Sequence, residues 1–186
     1  MPNPEDYQLR SIEESDLEQV LEWRNSERVR SNMYTDYIIS LEEHRAWFLK
    51  IRNSSSTCYY VCEYDKQPIG VIYFTNIDKK NQKSYWGFYL GDENAPIGSG
   101  YIMGFTALKY AFEVLDFRKL CSEVFEFNIK SIKLHNKLGF QQEGYFVKHI
   151  LKKDRHEDVI ALALFKDNWL NIKDNLYEYN SVDTNG

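Results

Sequence analysis

The chain has 186 residues, 43% of them hydrophobic, which suits one domain with a full core. Its net charge of −5, with no clustered basic stretch, excludes a nucleic-acid surface, and no apolar run reaches the length of a membrane span. Cys58, Cys62 and Cys121 are odd in number and sit in apolar, strand-like contexts, which reads as a reduced, cytosolic protein without a disulfide or metal set.

Met1 to Asp6 has no basic region followed by an apolar one, so it does not read as a secretory signal. Tyr7 to Ile12 alternates like a first strand. Ser15-Asp16-Leu17-Glu18 has the form of a capping box, opening a helix with Leu17, Val20, Leu21 and Arg24 on one face. Residues 26–39 show no clean period and read as a loop that wraps something. Ser40 to Glu43 is a second capping box, and the helix it starts carries Leu41, His44, Phe48 and Ile51 on one face. Three strands follow, at 59–64, 69–75 and 83–90, separated by polar turns. Tyr101, Phe105, Leu108, Phe112 and Leu115 then fall at i, i+4, i+7, i+11 and i+14, one apolar face of a helix. A strand at 119–127 precedes a short helix that Asn128 caps and Gly139 ends. Residues 140–152 and 156–165 make two last strands. From about Leu170 the chain is polar and aperiodic, so the expected domain is 1–170, with a tail at 171–186 disordered at its end. The whole is an α+β arrangement with a mixed sheet.

The most informative stretch joins the aromatic strand to the long helix: Ala95-Pro96-Ile97-Gly98-Ser99-Gly100-Tyr101. A Gly-x-Gly turn at a helix start gathers free N–H groups and the positive end of the helix dipole, which makes an anion cradle. Taken with Asn128-x-x-Ser131 and Leu138-Gly139-Phe140 around the next helix, this segment resembles the GCN5-related N-acetyltransferase (GNAT) family over roughly residues 7–166. The resemblance implies a mixed sheet of about seven strands flanked by helices, with central strands that splay around the cofactor. It implies acetyl-coenzyme A as cosubstrate and no metal. Ile97, Gly98, Ser99, Gly100 and Tyr101 would hold the pyrophosphate, and Asn128 and Ser131 would flank the pantetheine. Ala95 departs from the family, which usually has Gln or Arg there.

Acetyl transfer to an amine needs a held donor, a neutral amine, a stabilised oxyanion and a proton for the departing thiolate. By family position, the N–H of Leu90 lies beside the thioester as oxyanion donor. His135 stands where many relatives carry a Tyr that protonates the thiolate; read by itself, it is equally a histidine on a helix surface. Glu123 stands where some relatives carry a carboxylate base. Alternation puts Glu123 on the face of Phe125 and Phe127; the bland alternative is a solvated sheet edge.

For the acceptor, the chain resembles the GNAT subgroup that acetylates UDP-4-amino-4,6-dideoxy-N-acetyl-altrosamine in pseudaminic acid biosynthesis. The shared segments are Trp23-Arg24-Asn25, Leu134-His135-x-Lys137-Leu138-Gly139-Phe140 and a late strand that ends before a basic turn. The expected acceptor contacts are Arg30, Met33, Tyr34, His44 and Phe48: a cation for a diphosphate, aromatics for a uracil, apolar side chains for a 6-deoxy methyl. Trp47 and residues 148–152 also bear on the acceptor. Two alternatives stay open. One is acetylation of a protein N-terminus, as in ribosomal-protein acetyltransferases, and the other is a domain that binds acetyl-coenzyme A without turnover. A homodimer is compatible with either.

Overall fold

The computed structural model describes residues 3–182. The elements in order are β1 (Tyr7–Ser11), α1 (Leu17–Asn25), a single turn α2 (Glu27–Arg30), α3 (Leu41–Arg52), β2 (Cys58–Tyr64), β3 (Gln67–Asp78), β4 (Lys83–Leu90), α4 (Ser99–Lys109), β5 (Lys119–Phe125), α5 (Ile129–Lys137), β6 (Gln141–Lys152), β7 (Arg155–Phe165) and α6 (Lys166–Val182). The seven strands form one sheet in the order β1-β2-β3-β4-β5-β7-β6. Every neighbouring pair is antiparallel except β4–β5. That parallel pair is joined only at Lys83–Lys119, Ser84–Leu120 and Tyr85–Cys121. Beyond Tyr85 the two strands part, so the middle of the sheet opens into a gap.

Alternation gives the sheet two different faces. Ile72, Phe74, Trp86, Leu120, Val124, Leu162 and Leu164 pack into the main core with Ile102, Met103, Leu108 and Phe112 of the α4 helix and its continuation. The opposite face carries a smaller cluster of Val20, Trp23 and Val71 under α1. α4 runs into a wider π turn at Tyr110–Val114, which ends the helix that the apolar spacing of Tyr101 to Leu115 predicts.

Three expectations need correction. The entry to α1 is fixed by Asp16 rather than by Ser15 and Glu18. Asp16 accepts the Glu13 N–H at 2.8 Å and is gripped by Arg10 at 2.6 and 2.7 Å. The segment 26–39 is not all loop, because Ser26 caps the short helix α2 by accepting the Val29 N–H. The third concerns the boundary at 170, which falls inside α6. Trp169, Ile172 and Leu176, at i, i+3 and i+7, form an apolar stripe hidden among polar residues, and all three pack on the core. Trp169 is fully buried, its ring 5.3 Å from Phe105 and 5.9 Å from Phe112. The expected disordered end reaches residues 183–186, outside the described residues.

Candidate active site

The gap between β4 and β5 exposes backbone. Gly91 N–H donates to the Ile69 carbonyl at 2.8 Å, while Gly70 stands opposite Leu90 in the ladder. Residues 85, 87, 89 and 91 therefore turn their peptide groups to β3, and Trp86, Phe88 and Leu90 turn theirs toward β5. Past Tyr85 no strand among the described residues receives them. The Leu90 N–H, the expected oxyanion donor, thus faces the gap. Its carbonyl does not stay free, because Arg28 of α2 donates to it at 2.8 Å and to the Gly91 carbonyl at 2.6 Å. Arg28 was missed in the sequence; nothing in its spacing foretells a latch on the end of β4.

At the end of this gap, Gly98 takes φ of +95° and starts α4, a backbone conformation that favours glycine. A Cβ on Gly100 would meet nothing within 4 Å, so open space lies directly against the first turn of the helix. That space, beside N–H groups at a helix start, fits a pyrophosphate. The contributions differ from residue to residue. Ser99 turns its hydroxyl inward to the Tyr7 hydroxyl at 2.7 Å, and its N–H already donates to Pro96. Tyr101 buries its ring and donates to the Leu176 carbonyl at 3.2 Å. The Tyr101 N–H is bonded as well, to the Gly98 carbonyl at 2.9 Å, so both residues shape the turn while the open space lies at the Gly100 main chain. Ile97 is 94% exposed on the lip.

The second motif folds as its residues suggest, with one chemical consequence the sequence hid. Asn128 caps α5 by accepting the Ser131 N–H at 3.2 Å, and Gly139 ends the helix at φ of +93°. His135 is only 4% exposed. Its Nε2 lies 3.0 Å from the Ser122 hydroxyl, and its Nδ1 lies 2.8 Å from the Ser131 carbonyl and 3.3 Å from the Ser131 hydroxyl. Rings of Trp86, Phe88 and Phe140 surround it. Burial pushes its pKa down to about 4, which leaves it neutral at pH 7 with both nitrogens occupied. In this geometry His135 has the partners of a satisfied core histidine, with neither nitrogen directed to open space.

The other face of the same region holds a cleft of about 680 Å³. Tyr59, Val71, Tyr73, Tyr85, Tyr89, Glu123 and Phe125 form its floor, and Arg24, Met33, Tyr34, His44 and Trp47 its walls. Residues 31–39 cross the cleft as a strap pinned from several sides. Arg24 Nη2 donates to the Thr35 carbonyl at 2.9 Å, and Asn25 exchanges two bonds with Ile39. Lys152, the last residue of β6, reaches the Met33 carbonyl at 2.7 Å and sits over the Phe125 ring. Tyr34 is thereby delivered to Glu123, its hydroxyl donating to Oε2 at 2.6 Å. Desolvation, and then the bond to Glu123, push the Tyr34 phenol well above its ordinary pKa.

Of the expected acceptor contacts, Met33, Tyr34 and His44 line the cleft and two do not. Arg30 ion-pairs with Glu27 of its own short helix and donates to the Asp36 carbonyl at 2.5 Å, so its charge serves the strap. Phe48 is buried on the far side of α3, in a separate hollow of about 550 Å³ with Ile12, Ile51 and Tyr59. One residue earlier on α3, Trp47 turns toward the cleft and stacks on His44 at 4.7 Å. Desolvation lowers the His44 pKa, and its Nε2 has no partner among the described residues. The phenols of the floor were also missed. Their signal was the spacing of Tyr85, Gly87 and Tyr89, every second residue of one strand.

Arg24 is the electrostatic centre of the cleft. Its Nη1 is buried without a hydrogen-bond partner among the described residues, and its neighbours are the phenols of Tyr59, Tyr73 and Tyr89. Burial pulls the guanidinium below its ordinary pKa, the signature of a cation that lacks a counter-charge.

The comparisons with known proteins agree with this architecture. Residues 9–161 match the Acetyltransferase (GNAT) domain family. Acetyltransferase PseH of Campylobacter jejuni (strain 81-176) is 34% identical over 129 residues, covering 69% of this chain and 79% of that protein. Spermidine N(1)-acetyltransferase of Vibrio cholerae is 23% identical over 88% of this chain and 95% of that protein. The crystal structure of the Vibrio cholerae spermidine N-acetyltransferase with CoA and spermine superposes with a TM-score of 0.84 at 23% identity, covering 90% of this chain and 99% of that one. The splayed strands, the glycine turn and these matches converge: the chain belongs to the GNAT family and is an acetyl-coenzyme A-dependent N-acetyltransferase.

Proposed function

We propose that the enzyme moves acetyl from acetyl-coenzyme A to the 4-amino group of a UDP-linked 4-amino-4,6-dideoxy sugar. The observation that carries this reading is Arg24, a buried guanidinium with one amino group unpartnered in the acceptor cleft. A cation so placed calls for an anion, and a diphosphate supplies one with the planar, charge-assisted geometry that Arg favours. The aromatic walls suit the rest of such a ligand. Trp47 stacked on His44 is a platform on which a uracil can lie, and Met33 with the Tyr34 ring offers apolar contact for a 6-methyl. The PseH relative points the same way.

Glu123 acts in this reading as the base that takes the amine proton. It is held at the end of the strap by Tyr34, on the β5 side of the gap. A polyamine acceptor is the second reading, favoured by the carboxylates of Glu43 and Glu123 in the same cleft. Steady-state thiol release from acetyl-coenzyme A separates the readings. UDP-4-amino-4,6-dideoxy-N-acetyl-altrosamine, spermidine and a short peptide with a free N-terminus are compared at equal concentration. Preferred turnover of the sugar nucleotide is the expected result, and preferred turnover of spermidine or peptide overturns it.

A further inference from the structure

Tyr73 stands directly opposite Gly87 in the β3–β4 ladder. A Cβ at position 87 would lie 2.3 Å from the Tyr73 hydroxyl oxygen and 2.4 Å from its Cζ. The phenol therefore lies over the β4 backbone, in space that any other residue at 87 would claim. An aromatic ring covering a cross-strand glycine stabilises a sheet, and that accounts for the ring. It does not account for the hydroxyl, which lines the cleft and bonds no group among the described residues.

The position of that hydroxyl is informative. Continuing the parallel register past Tyr85 and Cys121 sets Gly87 level with Glu123, across the gap. Trp86 and Phe88, whose peptide groups face the gap, flank it on β4. His135 packs against those same two residues from the opposite face of the sheet, but it is neutral and fully bonded there. A thioester seated at this level takes its oxyanion contact from the Phe88 N–H, one pleat short of Leu90, and its departing thiolate needs a proton here.

The geometry points to Tyr73 as the catalytic acid of acetyl transfer. The amine nitrogen attacks the thioester carbon, the tetrahedral adduct collapses, and the C–S bond breaks with its electron pair going to sulfur. The Tyr73 O–H passes its proton to that sulfur as the bond breaks. The proton lost by nitrogen travels by way of Glu123 and returns the phenol to its starting state. The products are the amide and free coenzyme A thiol. Like any tyrosine the phenol is protonated at neutral pH; burial pushes it up to about 12 and makes it a weaker acid, so the transfer relies on the charge that develops on sulfur beside it in the same desolvated site. The inference rests on acetyl transfer itself and holds whichever amine is the acceptor.

Tyr73→Phe keeps the ring over Gly87 and removes only the hydroxyl. The expected result is a fall in kcat of about 10²-fold, with coenzyme A affinity and melting temperature unchanged and the solvent deuterium isotope effect on kcat lost. The same loss is expected with UDP-4-amino-4,6-dideoxy-N-acetyl-altrosamine, with spermidine, and in the slow hydrolysis of acetyl-coenzyme A without any amine. The last measurement keeps the test independent of the acceptor. Gly87→Ala provides a second arm, because its Cβ forces the phenol off β4. Its own loss of kcat is expected to vanish in the Tyr73→Phe background, so that the double variant is no slower than Tyr73→Phe alone. A Tyr73→Phe enzyme whose kcat stays within about threefold of the parent in all three reactions overturns the assignment. So does a raised acceptor KM at unchanged kcat, which makes Tyr73 a binding contact.

Discussion

The two halves of the active site are built on opposite plans. The cofactor half is main chain: the unpaired edge of β4 at Trp86, Phe88 and Leu90, then the glycine turn with open space against Gly100. Its side chains point elsewhere, Ser99 to Tyr7, Tyr101 to Leu176 and His135 into the core. The acceptor half is side chain throughout, drawn from α1, α3, the strap and four strands. A backbone cradle tolerates sequence change as long as glycine and strand splay survive, whereas a side-chain cleft is rewritten by single substitutions. One fold can thus keep one cosubstrate while its acceptors diverge.

Substitutions can break or sharpen that contrast. The largest effect is expected on the acceptor side, at the carboxylate that faces the gap. Glu123→Gln should lower kcat by about 10²-fold or more while coenzyme A affinity, followed by calorimetry, stays put. A near-normal kcat would leave deprotonation to solvent. Next comes Arg24→Met, which should raise KM for the sugar nucleotide by roughly ten- to a hundredfold, about 1.4–2.7 kcal/mol, with no loss of affinity for spermidine. Weakening of both acceptors alike would mean that the side chain acts only by pinning Thr35 in the strap.

On the cofactor side, Gly100→Val fills the open space and should weaken coenzyme A binding by about tenfold, near 1.4 kcal/mol, in a protein of unchanged melting temperature. Unchanged affinity would remove the cradle from the description. His135→Phe should change turnover least of all, leaving kcat within a few-fold, and its effect should appear in stability. The folded-state pKa near 4 lies below the ordinary 6.5 of histidine, so the unfolded chain binds more protons between those values. His135 therefore makes stability rise with pH through that window, by about 3 kcal/mol at most, with the full contribution reached above the upper value. Urea midpoints compared near pH 4.5 and 7.5 should show that slope flattened in the variant; an equal slope would place the acid sensitivity elsewhere.

What the sequence determined by itself was local and repetitive. The Ser40–Glu43 capping box, the Asn128 cap and the Gly139 helix end all form as read, because each depends on hydrogen bonds within a few residues. Period-two and helical spacing placed the seven strands and the long helix after the glycine turn, and the paired motifs were enough to indicate the family. The tertiary structure decided the rest. Whether His135 meets a thiolate or two serines depends on where α5 lands on β5, whose Ser122 is 13 residues away in sequence but in contact in space. Arg30 and Arg24 look alike in sequence, and each keeps one buried nitrogen without a partner among the described residues; packing gave the rest of Arg30 to Glu27 and Asp36 and set only Arg24 on the cleft. Phe48 and Trp47 are neighbours on α3, and only the helix's rotation over the sheet sends one into a separate hollow and the other to the cleft. The tail beyond 170 hid an i, i+3, i+7 stripe whose meaning needed the groove beside Phe105 and Phe112. Local rules fix which element forms; which side chain meets which is a long-range outcome, set by the packing of elements that no short window of sequence contains.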